Sequence, residues 1–167
     1  CGQAPSDYPE VARFLVEVNG EPTGPPVLND LLLAHENPAA VSRYVLTVGE
    51  GPSESHRSSG LWVATPAGST AAIRSAGGMV LPLAARSLEY LVREPYPIPE
   101  RPYRYHKGVQ PMNATFRVES KMEYGRLFID GPHLAYRLRF GDVVRIDHRA
   151  PPLNIFGLDI ERRTHPE

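Results

Sequence analysis

The chain has a single cysteine, Cys1, so no internal disulfide can brace it. That fits a reducing compartment, and a cytoplasmic location is the expectation. No apolar run approaches the ~20 residues that a membrane-spanning helix requires. The longest candidate, Gly77 to Ala85, is short and interrupted by Pro82. An excess of charge is missing too: 18 basic residues stand against 19 acidic ones, for a formal charge of -1. Such a balance argues against a dedicated nucleic-acid surface or a polybasic membrane surface. Arg101, Arg104, His106 and Lys107 do gather around Tyr103 and Tyr105. That cluster reads as a solvated strand face rather than an RNA site.

Self-contained catalytic motifs are lacking as well. The six histidines are scattered without H-x-x-x-H or H-E-x-x-H spacing, and one cysteine cannot complete a zinc set. Ser69 is not the nucleophile of a G-x-S-x-G elbow, because Ala71 stands where glycine is required. No paired-carboxylate motif, G-x-x-x-x-G-K-[ST] loop or G-x-G-x-x-G loop is present. The motifs therefore supply no acid, base, nucleophile or metal ligand set, and neither catalytic nor metal-binding residues are expected in this chain.

What the sequence does contain is punctuation. Its 167 residues suit one domain, 1–167, long enough to bury a core. Its 18 prolines are about twice the usual share and fall between short apolar runs. Ala12 to Val18 followed by Asn19-Gly20 reads as a strand entering a hairpin. Val27 to Ala34 is an apolar run interrupted by Asn29-Asp30, which belong either at a bulge or edge or facing a cleft. Ser42 to Gly49 alternates as a strand does, and Ser53 to Ser59 reads as a polar connection. Ser87 to Arg93 fits a strand or two helical turns. Beyond the proline-rich link Pro95 to Pro102, an antiparallel meander is expected. Its runs are Tyr103–Lys107, Ala114–Ser120, Gly125–Ile129, Leu134–Phe140 and Val143–His148, with a further strand in Leu153–Ile160. Together these predict a mainly β, sandwich-like domain with one brief helix.

That helix belongs to the stretch Trp62 to Gly78, read as a strand, a sharp Thr65-Pro66-Ala67-Gly68 turn, a short helical turn, and a flexible Gly77-Gly78 stop. Small residues there let a ligand approach the backbone, and the hydroxyls of Ser69 and Thr70 add polar contacts. A plain loop is the competing reading.

Leu28-Asn29-Asp30, then Gly60, Thr65-Pro66-Ala67-Gly68-Ser69-Thr70-Ala71 and Ser75-Ala76-Gly77-Gly78, resemble the C-terminal domain of NAD kinases. Asp130-Gly131 and Gly141-Asp142 fall where that family has late hairpins. Ser58-Ser59-Gly60-Leu61 and Arg93-Glu94-Pro95 look like its mitochondrial-type branch. The resemblance implies an all-β NAD-binding domain that follows an α/β domain in a longer enzyme. Such an enzyme uses ATP with magnesium to phosphorylate the adenosine-ribose 2′-hydroxyl of NAD. Asn29 and Asp30 match the ribose-binding pair, Thr70 and Ala71 the adenine lining, and Ser75 a further polar contact. Ser59, Thr65, Ser69 and Ala72 are additional candidates. Ser59 stands where many members have Asp, and Ala72 where they have Tyr. The family's Gly-Gly-Asp-Gly-Thr motif, which carries the general base, is not in this sequence. Of two readings of a chain starting Cys-Gly, a processed lipoprotein end or a piece of a longer protein, the resemblance favours the second. It also suggests a homo-oligomer whose β-domains meet. A lipid-kinase-like domain and a non-catalytic sandwich with a regulatory or assembly role are the alternatives.

Overall fold

A computed structural model describes residues 9–156. In chain order the strands are β1 (Glu10–Val11), β2 (Leu15–Val18), β3 (Glu21–Pro22), β4 (Asp30–His35), β5 (Ser42–Val48), β6 (Glu54–Ser58) and β7 (Gly60–Ala64). A 3-10 turn (Gly68–Thr70) and helix α1 (Ala72–Ser75) follow. Then come β8 (Ser87–Arg93), β9 (Lys107–Pro111), β10 (Phe116–Ser120), β11 (Gly125–Ile129), β12 (Leu134–Leu138), β13 (Val143–Asp147) and β14 (Leu153–Asn154). Two six-stranded antiparallel sheets result, in the orders β3-β2-β13-β10-β5-β6 and β12-β11-β4-β7-β8-β9, while β1 pairs with β14.

Alternation explains the layers. Along β5, Tyr44, Leu46 and Val48 are buried, and their neighbours Arg43, Val45 and Thr47 are more exposed. On β4 and β7 of the other sheet, Leu31, Leu33, Leu61 and Val63 turn toward the same core. The two inner faces meet there, with Tyr90 of one sheet 5.8 Å from Phe116 of the other between ring centroids. The expected sandwich is thus found, with its short helix after the Thr-Pro-Ala-Gly-Ser-Thr turn. Asn19 and Gly20, at φ 55° and 86°, form the two-residue connection from β2 to β3.

Several expected boundaries are corrected. Ser53–Ser59 is not a polar connection, because its residues 54–58 form the edge strand β6. Its inward positions are polar: Ser58 Oγ lies 3.0 Å from Tyr44 Oη, and the His56 ring is stacked between Tyr44 and Tyr103. Burial pushes the His56 imidazole below its ordinary range. Tyr103 to Lys107 is not a strand up to its last residue. Arg104 and Tyr105 instead donate their backbone N–H groups to the Glu54 carboxylate, and pairing with β8 begins at Lys107. The later strands do not run as a meander. β9 lies beside β8, β10 crosses to the other sheet between β5 and β13, and β11 returns to pair with β4. The first apolar run, Ala12 to Val18, holds an isolated Phe14–Val27 bridge and then β2, and β1 precedes it. Ser87–Arg93 is a strand, and Met79–Ala85 forms no regular element. Positions 157–160 of the final run lie outside the described residues.

The switch between sheets after β6 turns on Gly60. Its φ is 136°, and a Cβ there would sit 2.7 Å from the Leu33 carbonyl oxygen. The corner closes because no side chain intervenes. Leu46, wholly buried between the sheets, gives the direct measure of this core. Leu46→Ala should cost about 2–5 kcal/mol in urea unfolding, seen as a lowered midpoint with an unchanged slope.

Candidate functional site

Strand β4 and strand β7 run antiparallel, with Asp30 opposite Ala64, so Asn29 and Thr65 meet at one end of the sheet. Thr65 N–H donates to the Asn29 carbonyl at 2.9 Å. The Thr65 hydroxyl donates to the Leu28 carbonyl and accepts the Gly68 N–H at 3.1 Å. Gly68 lies so close to Asn29 that an added Cβ would be 2.0 Å from the Asn29 carbonyl oxygen. Contact of backbone with backbone thus holds the turn 65–68 against the entry to β4.

Asp130, at the β11–β12 hairpin, fixes the other side. Its φ is 49°, in the left-handed region that Asp tolerates better than most residues. Its carboxylate accepts the N–H groups of Leu28 at 2.9 Å, Asn29 at 2.6 Å and Asp30 at 3.2 Å. In return Asp130 N–H donates to the Asp30 carbonyl at 2.9 Å. The Asn29 backbone is therefore satisfied on both sides, whereas its half-buried side-chain amide has no hydrogen-bond partner among the described residues.

Asp30 lines a cleft of about 300 Å³ with Leu32, Trp62, Phe128, Gly131 and Pro132. Burial in these surroundings, with the Asp130 carboxylate nearby, pushes its carboxyl up to about 6. Leu32, Trp62 and Phe128 occupy one cross-strand row on the outer face of the sheet. Helix α1 sits on that face through Ile73, packed with Ala64, Leu91 and Trp62.

The end of the stretch is anchored, which corrects the expected flexible stop. Gly78 N–H donates to the Ile73 carbonyl at 2.9 Å, Met79 N–H to the Glu89 carboxylate at 2.5 Å, and Lys107 Nζ to the Gly77 carbonyl at 3.2 Å. Glu89 is fully buried, and burial raises its carboxyl above the usual range.

No family model matches the chain. A rice protein (Oryza sativa subsp. japonica) named "Probable NADH kinase" is 37% identical over 151 residues, 87% of this chain and 46% of that protein. The NADH kinase of Arabidopsis thaliana is 39% identical over 100 residues, 60% of this chain and 31% of that protein. The NAD kinase of Marinomonas sp. is 32% identical over 152 residues, 86% and 50% respectively. The chain belongs to the NAD kinase family. It spans half or less of the length of these three relatives. Two solved structures share its fold. Yeast NADH kinase complexed with NADH has a TM-score of 0.71 at 19% identity, over 89% of this chain and 43% of that one. An NAD kinase from Archaeoglobus fulgidus in complex with ATP has 0.73 at 23%, over 93% and 56%.

Within this NAD kinase-family fold, Asn29, Asp30 and Thr65 come together at one end of β7, and the turn from Thr65 leads through Thr70, Ala71 and Ala72 into α1. Ala71, Ala72 and Ser75 are exposed, and Thr70 is half-buried. Ser69 and Thr65 are wholly buried and serve the turn itself. Ser69 Oγ donates to the Pro66 carbonyl at 2.8 Å and accepts the Leu81 N–H at 2.9 Å. Ser59 lies beyond the opposite end of β7, roughly 20 Å along the strand by ordinary strand rise. Its hydroxyl donates to Glu94. Asp130 and the apolar wall of Leu32 and Phe128 were not among the sequence candidates. In the sequence Asp130 reads only as a hairpin residue, and strand alternation assigns the wall to a face but not to a cleft.

Two outcomes test this geometry. Gly68→Ala should destabilise the chain by more than about 2 kcal/mol, because backbone rather than a flexible side chain must yield, and chemical unfolding reads this directly. For Asp30 the folded carboxyl binds its proton more tightly than the ordinary value of 3.8. Its contribution to stability is present below that value and is lost as the pH rises through about 6. Asp30→Asn should match the parent near pH 4 and exceed it at pH 8 by on the order of 1 kcal/mol, after allowance for screening.

Proposed function

We propose that this chain is the NAD-binding domain of an NAD kinase, a piece of a longer two-domain enzyme that phosphorylates the adenosine-ribose 2′-hydroxyl of NAD or NADH with ATP. The observation that carries the reading is the backbone lock of Asn29 on Gly68 and Thr65. It presents the Asn29 amide and the Asp30 carboxylate beside a turn of small residues. In this reading Asn29 and Asp30 hydrogen-bond the ribose hydroxyls, an amide donating and a carboxylate accepting. Thr70 and Ala71 border the adenine, with Ser75 a further polar contact. Ala72, small and exposed, leaves room where a ring would close the site, and Ser59 belongs to the mitochondrial-type pattern at a separate edge. The relatives named above are NAD or NADH kinases, which favours this reading over a lipid kinase.

This chain's part in phosphoryl transfer is positioning: it orients the acceptor hydroxyl, and the general base belongs to the missing N-terminal domain. Among the described residues no group of three or more His, Cys, Asp or Glu side chains could hold a metal ion. Magnesium, which this reading brings in with ATP, is placed with the nucleotide in the rest of the enzyme. Among the described residues no helix is long and apolar enough to cross a membrane. A cytoplasmic location is a separate part of the proposal, in keeping with the single cysteine. A homo-oligomer is proposed as well, its β-domains meeting through the outer row of Leu32, Trp62 and Phe128.

The deciding assay is NADP or NADPH formation by the intact protein with ATP and magnesium, and its absence sinks the proposal. Asn29→Ala should lower kcat/KM for the dinucleotide about tenfold or more, as expected for a lost polar contact to a buried ligand group. Unchanged kcat and KM would reject the role given to Asn29. Binding of NAD by calorimetry without any turnover would favour the regulatory sandwich instead.

A further inference from the structure

The proline-rich segment after β8 is a strap tied to the edge strand β6. Tyr96 N–H donates to the Arg57 carbonyl at 2.7 Å, and Arg104 and Tyr105 donate to Glu54 at 3.0 Å each. A cavity of about 570 Å³ lies here, lined by Arg43, Arg57, Lys121, Tyr96, Ile98 and Tyr103 among others. That volume is within the usual range of small-molecule sites.

Its charge is unusual within this fold. Arg43 and Arg57 stand directly opposite each other in the β5–β6 ladder, and both are exposed. Like charges so placed repel. Two other arginine pairs face each other across ladders, Arg117 with Arg145 and Arg126 with Arg137. In each of those a carboxylate bonds one member, Glu119 to Arg117 at 3.2 Å and Glu36 to Arg126 at 3.1 Å. Glu119 also holds Lys121. Among the described residues, neither Arg43 nor Arg57 has an acidic partner, and neither guanidinium makes a hydrogen bond. Two further lining groups, His56 Nδ1 and Tyr103 Oη, are buried without a hydrogen-bond partner among the described residues. The pair therefore leaves two forked donors uncompensated beside a wall of aromatic and aliphatic groups.

We propose that this cavity binds a small organic anion. Its phosphate or carboxylate lies between the Arg43 and Arg57 guanidiniums, and its planar or apolar body rests against Tyr96 and Ile98. Guanidinium forks match both anion types through paired N–H donors. The site belongs to the sheet that does not carry Asn29 and Asp30, so it stands independently of the proposed dinucleotide seat.

The test is titration of the 167-residue chain with phenyl phosphate, benzoate, inorganic phosphate and benzyl alcohol, followed by amide NMR shifts and calorimetry. Phenyl phosphate or benzoate should saturate, with shifts at residues 55–57, Tyr96 and Ile98, and whichever binds tighter identifies the anion. Benzyl alcohol should not saturate. Arg43→Gln and Arg57→Gln, both at exposed positions, should keep the parent melting temperature and each weaken the anion about tenfold or more. Arg57→Lys should recover part of that loss. No saturation by about 10 mM of either aromatic anion, undiminished binding in the Gln variants, or shifts confined to residues 29–30 and 68–72 would overturn the proposal.

Discussion

Three consecutive backbone amides, those of Leu28, Asn29 and Asp30, converge on the carboxylate of Asp130, and the order of the site follows from that convergence. A carboxylate accepting several N–H groups is among the stronger neutral-donor arrangements available to a fold. Here it joins residues about a hundred positions apart in sequence, binding the β11–β12 hairpin to the start of β4. With its N–H held by Asp130, Asn29 can offer its carbonyl to Thr65, and Thr65 can hold Gly68. Each contact limits the freedom of the next. The Asn29 backbone is thus spent on both sides, and its half-buried side-chain amide is left without a hydrogen-bond partner among the described residues.

The same region holds a carboxylate where the fold alone would favour an apolar residue. Asp30 shares its cleft with Leu32, Trp62 and Phe128, and its charged form is disfavoured by burial and by Asp130. Residues that cost stability and survive are often those used for binding. Ser69 and Thr65 illustrate the opposite case. Their hydroxyls resemble ligand contacts in the sequence, yet both are consumed in holding the turn. Polar groups in a small-residue motif of this kind can thus belong to the turn itself.

Edges and outer faces complete the picture. The outer surface of one sheet carries an apolar row beside α1, and the edge of the other is strapped by a proline-rich segment. An exposed edge strand invites unwanted pairing, and a strap tied through Glu54 and the Arg57 carbonyl limits that. The strap also explains why polar residues 54–58 form a strand. Ser58 is met by Tyr44, His56 lies between the rings of Tyr44 and Tyr103, and Glu54 accepts the N–H groups of the strap.

The β-rich class, the Asn19-Gly20 hairpin, the short helix after Thr65–Gly68 and the prominence of Asn29-Asp30 are all legible along the chain. These features depend on local pattern: alternation, a left-handed turn pair, and a polar interruption of an apolar run. The motif from Thr65 to Gly78 is specific enough to carry the family resemblance without any knowledge of contacts. Tertiary structure alone decided the strand order, because β10 could not announce that it would leave β9 to lie between β5 and β13. It alone made Asp130 the keystone of the site, Glu89 the anchor of the Gly77-Gly78 segment, and Ser59 remote from Thr65. The reason is physical. Local propensity is written over a few neighbouring residues, whereas a carboxylate capping amides a hundred residues away depends on how two sheets have closed.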